Sequence, residues 1–187
     1  AMLPLLKLIK EKKFFILKVF LTDQHLNKKF GNTYKVCRRE LGNKSIKTIY
    51  INQSNDKAFS RMIGMSSLLK QLSQYFKKSK PNLLMVYGDR AESLIASIVA
   101  INFNVPICHF QGGDLSGNID EKIRHSITKL SDLHLVSNKA SLARILQMGE
   151  NKSSSFCIGD SHIDSLKKVK TDQKKFKSIE RKYFLQK

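Results

Sequence analysis

The sequence has few cysteines, and it lacks the spacings that mark disulfide frameworks and zinc sites. Its three cysteines, Cys37, Cys108 and Cys157, lie far apart, form no C-x-x-C pair and each lie in or beside an apolar run. The five histidines form no H-E-x-x-H motif, so the sequence predicts no metal site. These patterns predict reduced, packed thiols in a cytoplasmic protein.

Long apolar runs and targeting signals are also missing. No window reaches the ~18 apolar residues that a membrane span requires, so no membrane association is predicted. The first residues have no charged region and no clear cleavage site, so no signal peptide is predicted. Because the chain opens directly in an amphipathic helix pattern, we expect it to begin inside a domain.

Acidic residues are scarce relative to basic ones. The chain has 34 lysines and arginines against 15 aspartates and glutamates, a formal net charge of +19. Such a balance is typical of proteins that bind nucleic acid or an anionic ligand. The lysines are nevertheless spread along the chain, and their densest runs, 77–80 and 167–170, fall at apparent helix ends, where cations are favourable. Since the aromatic residues lie in apolar strands and helices, nucleic acid is not the expected partner.

Helical apolar spacings alternate along the chain with short continuous apolar runs. The spacings predict helices over 3–11, 27–41, 56–78, 91–102, 120–130 and 139–148, and the runs predict strands over 14–21, 46–51, 83–87, 105–110, 133–136 and 155–158. Several strands are apolar on both faces, as a helix-covered sheet requires. We therefore predict an α/β fold with a doubly wound parallel sheet over residues 1–170, followed by a lysine-rich tail or interdomain segment over 171–187.

Three polar loops that contain glycine follow predicted strands, at 88–90, 111–118 and 159–162. Ligands bind outside the carboxyl ends of the strands in an open parallel sheet, and the next helix offers free N–H groups that suit phosphate. The sequence has no G-x-G-x-x-G and no P-loop lysine motif, which argues against a dinucleotide or ATP site. The expected ligand is a phosphorylated small molecule, with no cofactor.

Two aspartates at these loops have both a structural and a catalytic interpretation. Asp89 follows a buried strand and either caps the next helix or takes part in catalysis. Asp120 opens a helix after the glycine loop and has the same two interpretations. Arg124 has the spacing of an ordinary i,i+3 pair with Glu121.

Two histidines lie beside the same loops. His109 precedes the glycine loop at a strand end, where a histidine is typically a structural residue with satisfied hydrogen bonds. His25 follows an earlier strand, and its simplest interpretation is a loop histidine. Neither has the spacing of a metal ligand.

Several segments together resemble a known enzyme family, the hydrolysing UDP-N-acetylglucosamine 2-epimerases. The segments are YGDRAE at 87–92, HFQGGD at 109–114, SGNIDEKIRHSITKL at 116–130, DQHL at 23–26, FGNTY at 30–34 and QMGE at 147–150. The resemblance covers nearly the whole chain, in order. It implies the Rossmann-like amino-terminal half of a glycosyltransferase-B type fold, without the first strand and without the carboxyl domain, and a homo-oligomer in the full-length form.

The resemblance also implies a reaction, which opens sialic-acid synthesis. The substrate is UDP-N-acetylglucosamine or a related UDP-acetamido sugar, and the products are UDP and N-acetylmannosamine. UDP leaves by anti elimination to give a 2-acetamidoglucal, and water then adds with inverted configuration at C2. This chemistry needs a base for the C2 proton, an acid that returns a proton, and cationic or N–H groups around the departing diphosphate.

Matching motif by motif, the resemblance implies roles for particular positions. The catalytic positions are Asp89, Gln111 and Asp120. The substrate-binding positions are His25, Arg90, His109, Gly112, Gly113, Arg124 and Ser126.

One position departs from the family pattern. The family usually has glutamate where this chain has Gln111, and an amide cannot accept and return a proton. Asp114 lies three residues further on, but its side chain is shorter. Two interpretations stay open: a working epimerase with altered acid–base residues, and a homologue that binds nucleotide sugar without turnover.

Overall fold

The computed structural model describes residues 2–12, 14–28, 31–51, 53, 55, 57–161 and 163. The helices are α1 (Leu3–Glu11), α2 (Tyr34–Leu41), α3 (Ala58–Lys78), α4 (Ala91–Asn102), α5 (Ile119–Lys129) and α6 (Lys139–Gln147). The strands are β1 (Val19–Leu21), β2 (Ile46–Thr48), β3 (Leu84–Tyr87), β4 (Ile107–Phe110), β5 (Leu133–Val136) and β6 (Ser155–Cys157). The predicted boundary at 170 and the predicted tail over 171–187 lie outside the described residues.

Every strand pair in the described part of the chain is parallel. β1 pairs with β2, and β3, β4, β5 and β6 form a four-stranded sheet in chain order. Helices connect successive strands of this sheet, as parallel strands require. The predicted α/β class is therefore confirmed, but the described strands form two parallel sheets and not a single one.

A single apolar core joins the two sheets. Buried side chains of α3, α4 and α5 pack against Val86 of β3 and Ile107 of β4, and Phe20 of β1 packs against the same cluster. Full burial of one large apolar side chain contributes about 1.5–3 kcal/mol, so these contacts fix the strands from which the loops emerge. Within the described ranges, no helix combines the length and apolar character that a membrane crossing needs.

The predicted strand over 14–21 is wrong for its first half. Phe14 is 77% exposed and Ile16 is 90% exposed, and the ladder with β2 begins at Val19. Phe15 instead donates its backbone N–H to Lys12 in a turn, and its ring lies against the ring of Phe14. An apolar run predicts a buried strand only where a neighbouring element covers it, and none of the described residues covers this one.

The predicted helix over 27–41 begins later than expected. Asp23–Leu26 forms a 3-10 turn, and α2 starts at Tyr34. Gly31 and Asn32 have φ values of 81° and 49°, which a right-handed helix cannot contain. The apolar spacing therefore marks the buried face of α2 but not its start.

The three cysteines all carry free thiols. Cys108 is buried in β4, and burial raises its pKa to about 12, which makes this thiol unreactive at neutral pH. Cys37 is half-buried, whereas Cys157 is exposed, so the prediction of packed thiols is wrong for Cys157.

Candidate active site

The carboxyl ends of β3 to β6 meet at one edge, because the four strands are parallel. Asp89 follows β3, Gln111 follows β4, Ser137 follows β5, and Asp160 lies just beyond β6. Sequence reasoning predicted this edge as the ligand site, and the described side chains there form two hydrogen-bonded clusters.

The first cluster centres on Arg124 of α5, which is buried. Its Nη2 donates to Oδ2 of Asp89, and its Nη1 donates to the backbone carbonyl of Asp114 over 2.6 Å. Arg124 thus joins the turn after β3 to the glycine loop after β4. The predicted i,i+3 pair with Glu121 is replaced by this longer-range pair.

Asp89 does not cap the helix that follows it. The N-cap of α4 is Arg90, and no side chain caps that end. The capping interpretation of Asp89 is therefore wrong. Its carboxylate is partly exposed and bound to Arg124, an arrangement that leaves part of the carboxylate open to a ligand.

The N-terminus of α5 is capped by a residue other than Asp120. The side chain of Asn118 accepts from the backbone N–H of Asp120 over 2.9 Å, so the capping interpretation of Asp120 is also wrong. Among the described residues, the exposed Asp120 carboxylate has no hydrogen-bond or ion-pair partner. Asp120 lies four positions before Arg124, and such residues share a helix face with Cβ atoms about 5–6 Å apart. The helix therefore brings Asp120 to the side of the Asp89–Arg124 pair.

Glu121 orders the loop that leads into α5. Its Oε2 accepts from the backbone N–H groups of Ser116 over 2.9 Å and Gly117 over 2.8 Å. Hydrogen bonds from Gly117 and then Ser116 lower the pKa of Glu121, so its carboxylate is charged at neutral pH.

His109 is a buried structural residue. Its side chain is 0% exposed, its Nε2 donates to the carbonyl of Gly88 over 2.8 Å, and its Nδ1 lies 3.2 Å from the hydroxyl of Thr128. Burial lowers the pKa of His109 to about 4, although the bond to Gly88 acts in the opposite direction. The ring is therefore neutral and holds the turn that carries Asp89.

The two glycines of the loop are packed against neighbouring elements. A Cβ on Gly112 would lie 3.0 Å from the Thr128 hydroxyl and 3.1 Å from Nδ1 of His109. Gly113 has φ 79°, and a Cβ there would lie 2.5 Å from the carbonyl oxygen of Ser141 in α6. Arg144 of α6 also donates to the carbonyl of Gly113. Position 113 therefore requires glycine for packing, and Gly112 is tightly packed, whatever they contact in a ligand.

The Asp114 side chain is hydrogen-bonded to residues at the start of α6. Its carboxylate accepts from the hydroxyls of Ser137 and Ser141 and from the amide of Asn138. A carboxylate held by three donors is poorly placed to transfer a proton to a ligand.

The second cluster contains Gln111, Asp160, Tyr87 and Ser161. Nε2 of Gln111 donates to Oδ2 of Asp160 over 3.0 Å. Burial and then the charge of Asp160 raise the pKa of Tyr87 to about 12, against the effect of hydrogen bonds with Ser161 and Gln111. Gln111 also has φ 59°, a strained conformation of the kind that gathers at functional sites, at about 1–3 kcal/mol.

A cavity of about 390 Å³ lies at the second cluster. Tyr87, Phe110 and Leu135 occupy paired positions on neighbouring strands and so share one face of the sheet. α1 contributes Pro4, Leu5 and Leu8 to the lining. Its lining residues are Met2, Pro4, Leu5, Leu8, Tyr87, Phe110, Gln111, Leu135, Ile158, Gly159, Asp160 and Ser161.

The 3-10 turn Asp23–Leu26 approaches the same edge through Arg90. Nη2 of Arg90 donates to Oδ2 of Asp23 over 3.1 Å, and its Nε donates to Glu92 over 3.3 Å. His25 lies on this turn, and its Nδ1 is 2.7 Å from the hydroxyl of Thr33. Burial and then the charge of Arg90 lower the pKa of His25. The two predicted substrate-binding residues are thus near one another.

Ser126 lies apart from these clusters. It is exposed on α5, and its hydroxyl donates to the carbonyl of Lys122 one turn earlier, over 2.8 Å. No described contact joins it to another predicted site residue, and its role in phosphate binding stays a prediction.

Sequence reasoning missed Tyr87 and Asp160 as site residues. The sequence indicated a polar loop after a strand at 159–162, but nothing in that pattern distinguished the carboxylate of Asp160 from its neighbours. Tyr87 closes a strand and carried no separate signal, because its partners are far away in sequence.

Comparison with known proteins identifies the family. The family model described as UDP-N-acetylglucosamine 2-epimerase matches residues 7–187. A UDP-N-acetylglucosamine 2-epimerase of Neisseria meningitidis is 34% identical over 161 residues, which cover 86% of this chain and 42% of that protein. A GDP/UDP-N,N'-diacetylbacillosamine 2-epimerase (hydrolyzing) of Campylobacter jejuni is 38% identical over 152 residues, which cover 81% of this chain and 39% of that protein.

Solved structures show the same fold. A UDP-GlcNAc 2-epimerase from Neisseria meningitidis bound to UDP-GlcNAc matches with a TM-score of 0.71 at 22% identity, over 97% of this chain and 50% of that one. A Methanocaldococcus jannaschii epimerase in complex with UDP-GlcNAc and UDP matches with a TM-score of 0.74 at 19% identity, over 96% and 51%. The chain spans about half the length of the relatives it matches and has the Rossmann-like half of their glycosyltransferase-B type fold. It belongs to the UDP-N-acetylglucosamine 2-epimerase family.

Proposed function

We propose that the chain is the amino-terminal, nucleotide-sugar half of a hydrolysing epimerase of the cytoplasm. The full-length enzyme converts UDP-N-acetylglucosamine, or a related UDP-diacetamido sugar, to UDP and the 2-epimeric free sugar for sialic-acid-type synthesis. The observation that carries this proposal is the Asp89–Arg124 pair at the strand ends, with Asp120 on the same face of α5. Two similar proteins, from Legionella pneumophila and Campylobacter jejuni, are named as hydrolyzing 2-epimerases.

The proposed chemistry assigns complementary tasks to these residues. Asp89 and Asp120 are carboxylates suited to proton transfer at the sugar. We assign Arg124 to stabilise the negative charge of the departing diphosphate. His25, Arg90 and Ser126 contact the substrate around this centre.

The buried residues of the loop serve the reaction through position. His109 bonds the Gly88 carbonyl and so holds the turn that carries Asp89. Gly112 and Gly113 let the loop lie directly on α5 and α6. We assign these three residues to the geometry of the site, which a catalytic group needs to within a fraction of an ångström.

The activity belongs to the full-length protein, which we propose to be a homo-oligomer. In a two-domain fold the substrate lies between the halves, so we expect these 187 residues alone to be inactive. The test incubates full-length protein with UDP-N-acetylglucosamine and measures UDP and N-acetylmannosamine by anion-exchange chromatography and NMR.

A matched pair of variants sharpens this test. Asp89→Asn should lower kcat about 10²–10⁴-fold, as loss of a general acid–base group does. Asp132→Asn is the control, because Asp132 lies at the opposite end of the strands, where it accepts from the Ile107 N–H, and asparagine keeps that acceptor. An inactive full-length protein that gains activity through Gln111→Glu would instead identify a nucleotide-sugar-binding homologue without turnover.

A further inference from the structure

Asp160 lies in the active-site edge, and none of the roles proposed above uses it. It follows β6, lines the cavity of about 390 Å³, and its Oδ2 accepts from Nε2 of Gln111 over 3.0 Å. The two residues are 49 positions apart in sequence, so the fold alone brings them together.

The chemistry of this pair differs from that of either residue alone. An amide at position 111 cannot take up a proton, but its N–H₂ group can orient a neighbouring carboxylate. An ionised carboxylate has about four lone-pair sites, so the bond from Gln111 orients Asp160 without using up its capacity to accept from a ligand. Gln111 is itself fixed, since its backbone N–H donates to the carbonyl of Leu135 over 3.0 Å.

The cavity has the dimensions and the lining of a sugar site. Ligand pockets typically enclose about 300–1,000 Å³, with apolar walls and a few convergent polar groups. Here Phe110, Leu135 and Leu5 supply apolar wall, and Tyr87, Gln111, Asp160 and Ser161 supply the polar groups at the strand ends.

We propose that Asp160, positioned by Gln111, is a proton-transfer carboxylate of the epimerase and contacts the sugar at C2. This inference rests on the proposed function and adds a catalytic residue to it. Asp160 thereby supplies the carboxylate that position 111 lacks, which Asp114 cannot do because three donors hold it at α6.

The Asp160 carboxylate takes the C2 proton, the C–H electron pair forms the C1–C2 double bond, and UDP leaves with the electron pair of the C1–O bond. Water then adds its oxygen to C1, and C2 receives a proton on the opposite face from a second acid. The proton lost by the water restores that acid, and Asp160 returns its proton to solvent.

Exchange of the two side chains tests the pair in the full-length enzyme. Asp160→Asn should lower kcat about 10²–10⁴-fold with a small change in KM. The double variant Gln111→Glu/Asp160→Asn restores one carboxylate and one amide in reversed positions. Its kcat should be at least tenfold higher than that of Asp160→Asn. A merely structural role for Asp160 would not give this recovery.

The pH–rate profile supplies a second readout. Gln111→Glu alone places two carboxylates in contact, so one of them holds its proton to higher pH. The acidic limb of kcat should therefore move to higher pH than in the wild type. Asp132→Asn, the matched control at the far edge, should leave both kcat and the profile unchanged.

The outcomes separate this inference from the proposed function. If the wild type is active and the kcat of Asp160→Asn lies within threefold of the wild-type kcat, the role of Asp160 is overturned and the epimerase proposal is left intact. An inactive wild type that Gln111→Glu activates would overturn both. If neither protein releases UDP, both the proposed function and this inference are overturned.

Discussion

Replacement of Gly113 by alanine should destabilise the fold far more than the same replacement at Gly117. Both glycines have positive φ, 79° and 69°, so alanine incurs about 1–2 kcal/mol of backbone strain at either position. At Gly113 the new Cβ would also lie 2.5 Å from the Ser141 carbonyl oxygen and 2.8 Å from Cγ2 of Ile145, whereas at Gly117 it meets nothing within 4 Å. Overpacking of this kind adds about 1–3 kcal/mol.

The assay is urea unfolding of the chain followed by circular dichroism. Gly117→Ala should lower the free energy of unfolding by about 1–2 kcal/mol and Gly113→Ala by about 2–5 kcal/mol, with the urea dependence unchanged in both. Alanine in place of glycine also lowers the conformational entropy of the unfolded chain, which stabilises the fold. This stabilisation is common to both variants and cancels in their comparison. Equal destabilisation would refute the reasoning that α6 fixes the glycine loop through Gly113.

Two further predictions concern buried polar groups. The pKa of His109 is lowered to about 4 from 6.5, so the unfolded state binds more protons than the folded state between these pH values. The free energy of unfolding should therefore fall by up to about 3 kcal/mol as pH drops from about 6.5 to about 4. Urea unfolding of His109→Gln across this range should lack that pH dependence. Asp132→Ala removes the acceptor of the buried Ile107 N–H and should lower the free energy of unfolding by about 1–3 kcal/mol, whereas Asp132→Asn should lower it by less than half as much. Equal decreases for the two variants in thermal unfolding would contradict the role of Asp132 as this acceptor.

Much of the fold could be predicted from the sequence, because apolar periodicity reports burial directly. The helices over Leu3–Glu11 and Ala91–Asn102 and the strand Leu133–Val136 have the predicted bounds. The failures share a cause in tertiary structure. The run that begins at Phe14 is as apolar as a buried strand, yet the described structure leaves it exposed, and sequence periodicity carries no information on whether a partner covers a run.

The site was predictable in its location but not in its contacts. Strand-end loops with glycine and aspartate marked the edge, since parallel strands place their carboxyl ends together. Capping could not be assigned in advance, because Asn118 and Asp120 are both good capping residues and the loop geometry decides between them. The pairing of Gln111 with Asp160 depends on the order of β4, β5 and β6, which no local pattern encodes.

The reaction that we propose depends on the geometry of this edge of the sheet. The glycine loop is immobilised from three sides, by Arg124, Glu121 and Arg144. Asp89 follows β3, Asp160 follows β6 and Asp120 lies in the first turn of α5. A rigid loop together with several carboxylates is what elimination and readdition across C1 and C2 require, because groups on both faces of the sugar must keep their positions.

The most direct test of the central claim is an NMR time course of the full-length protein with UDP-N-acetylglucosamine in D₂O. The account predicts free UDP and N-acetylmannosamine that carries deuterium at C2, because the proton removed in elimination is replaced from solvent. Formation of UDP-N-acetylmannosamine without release of UDP, or a product that keeps its C2 proton, would contradict it.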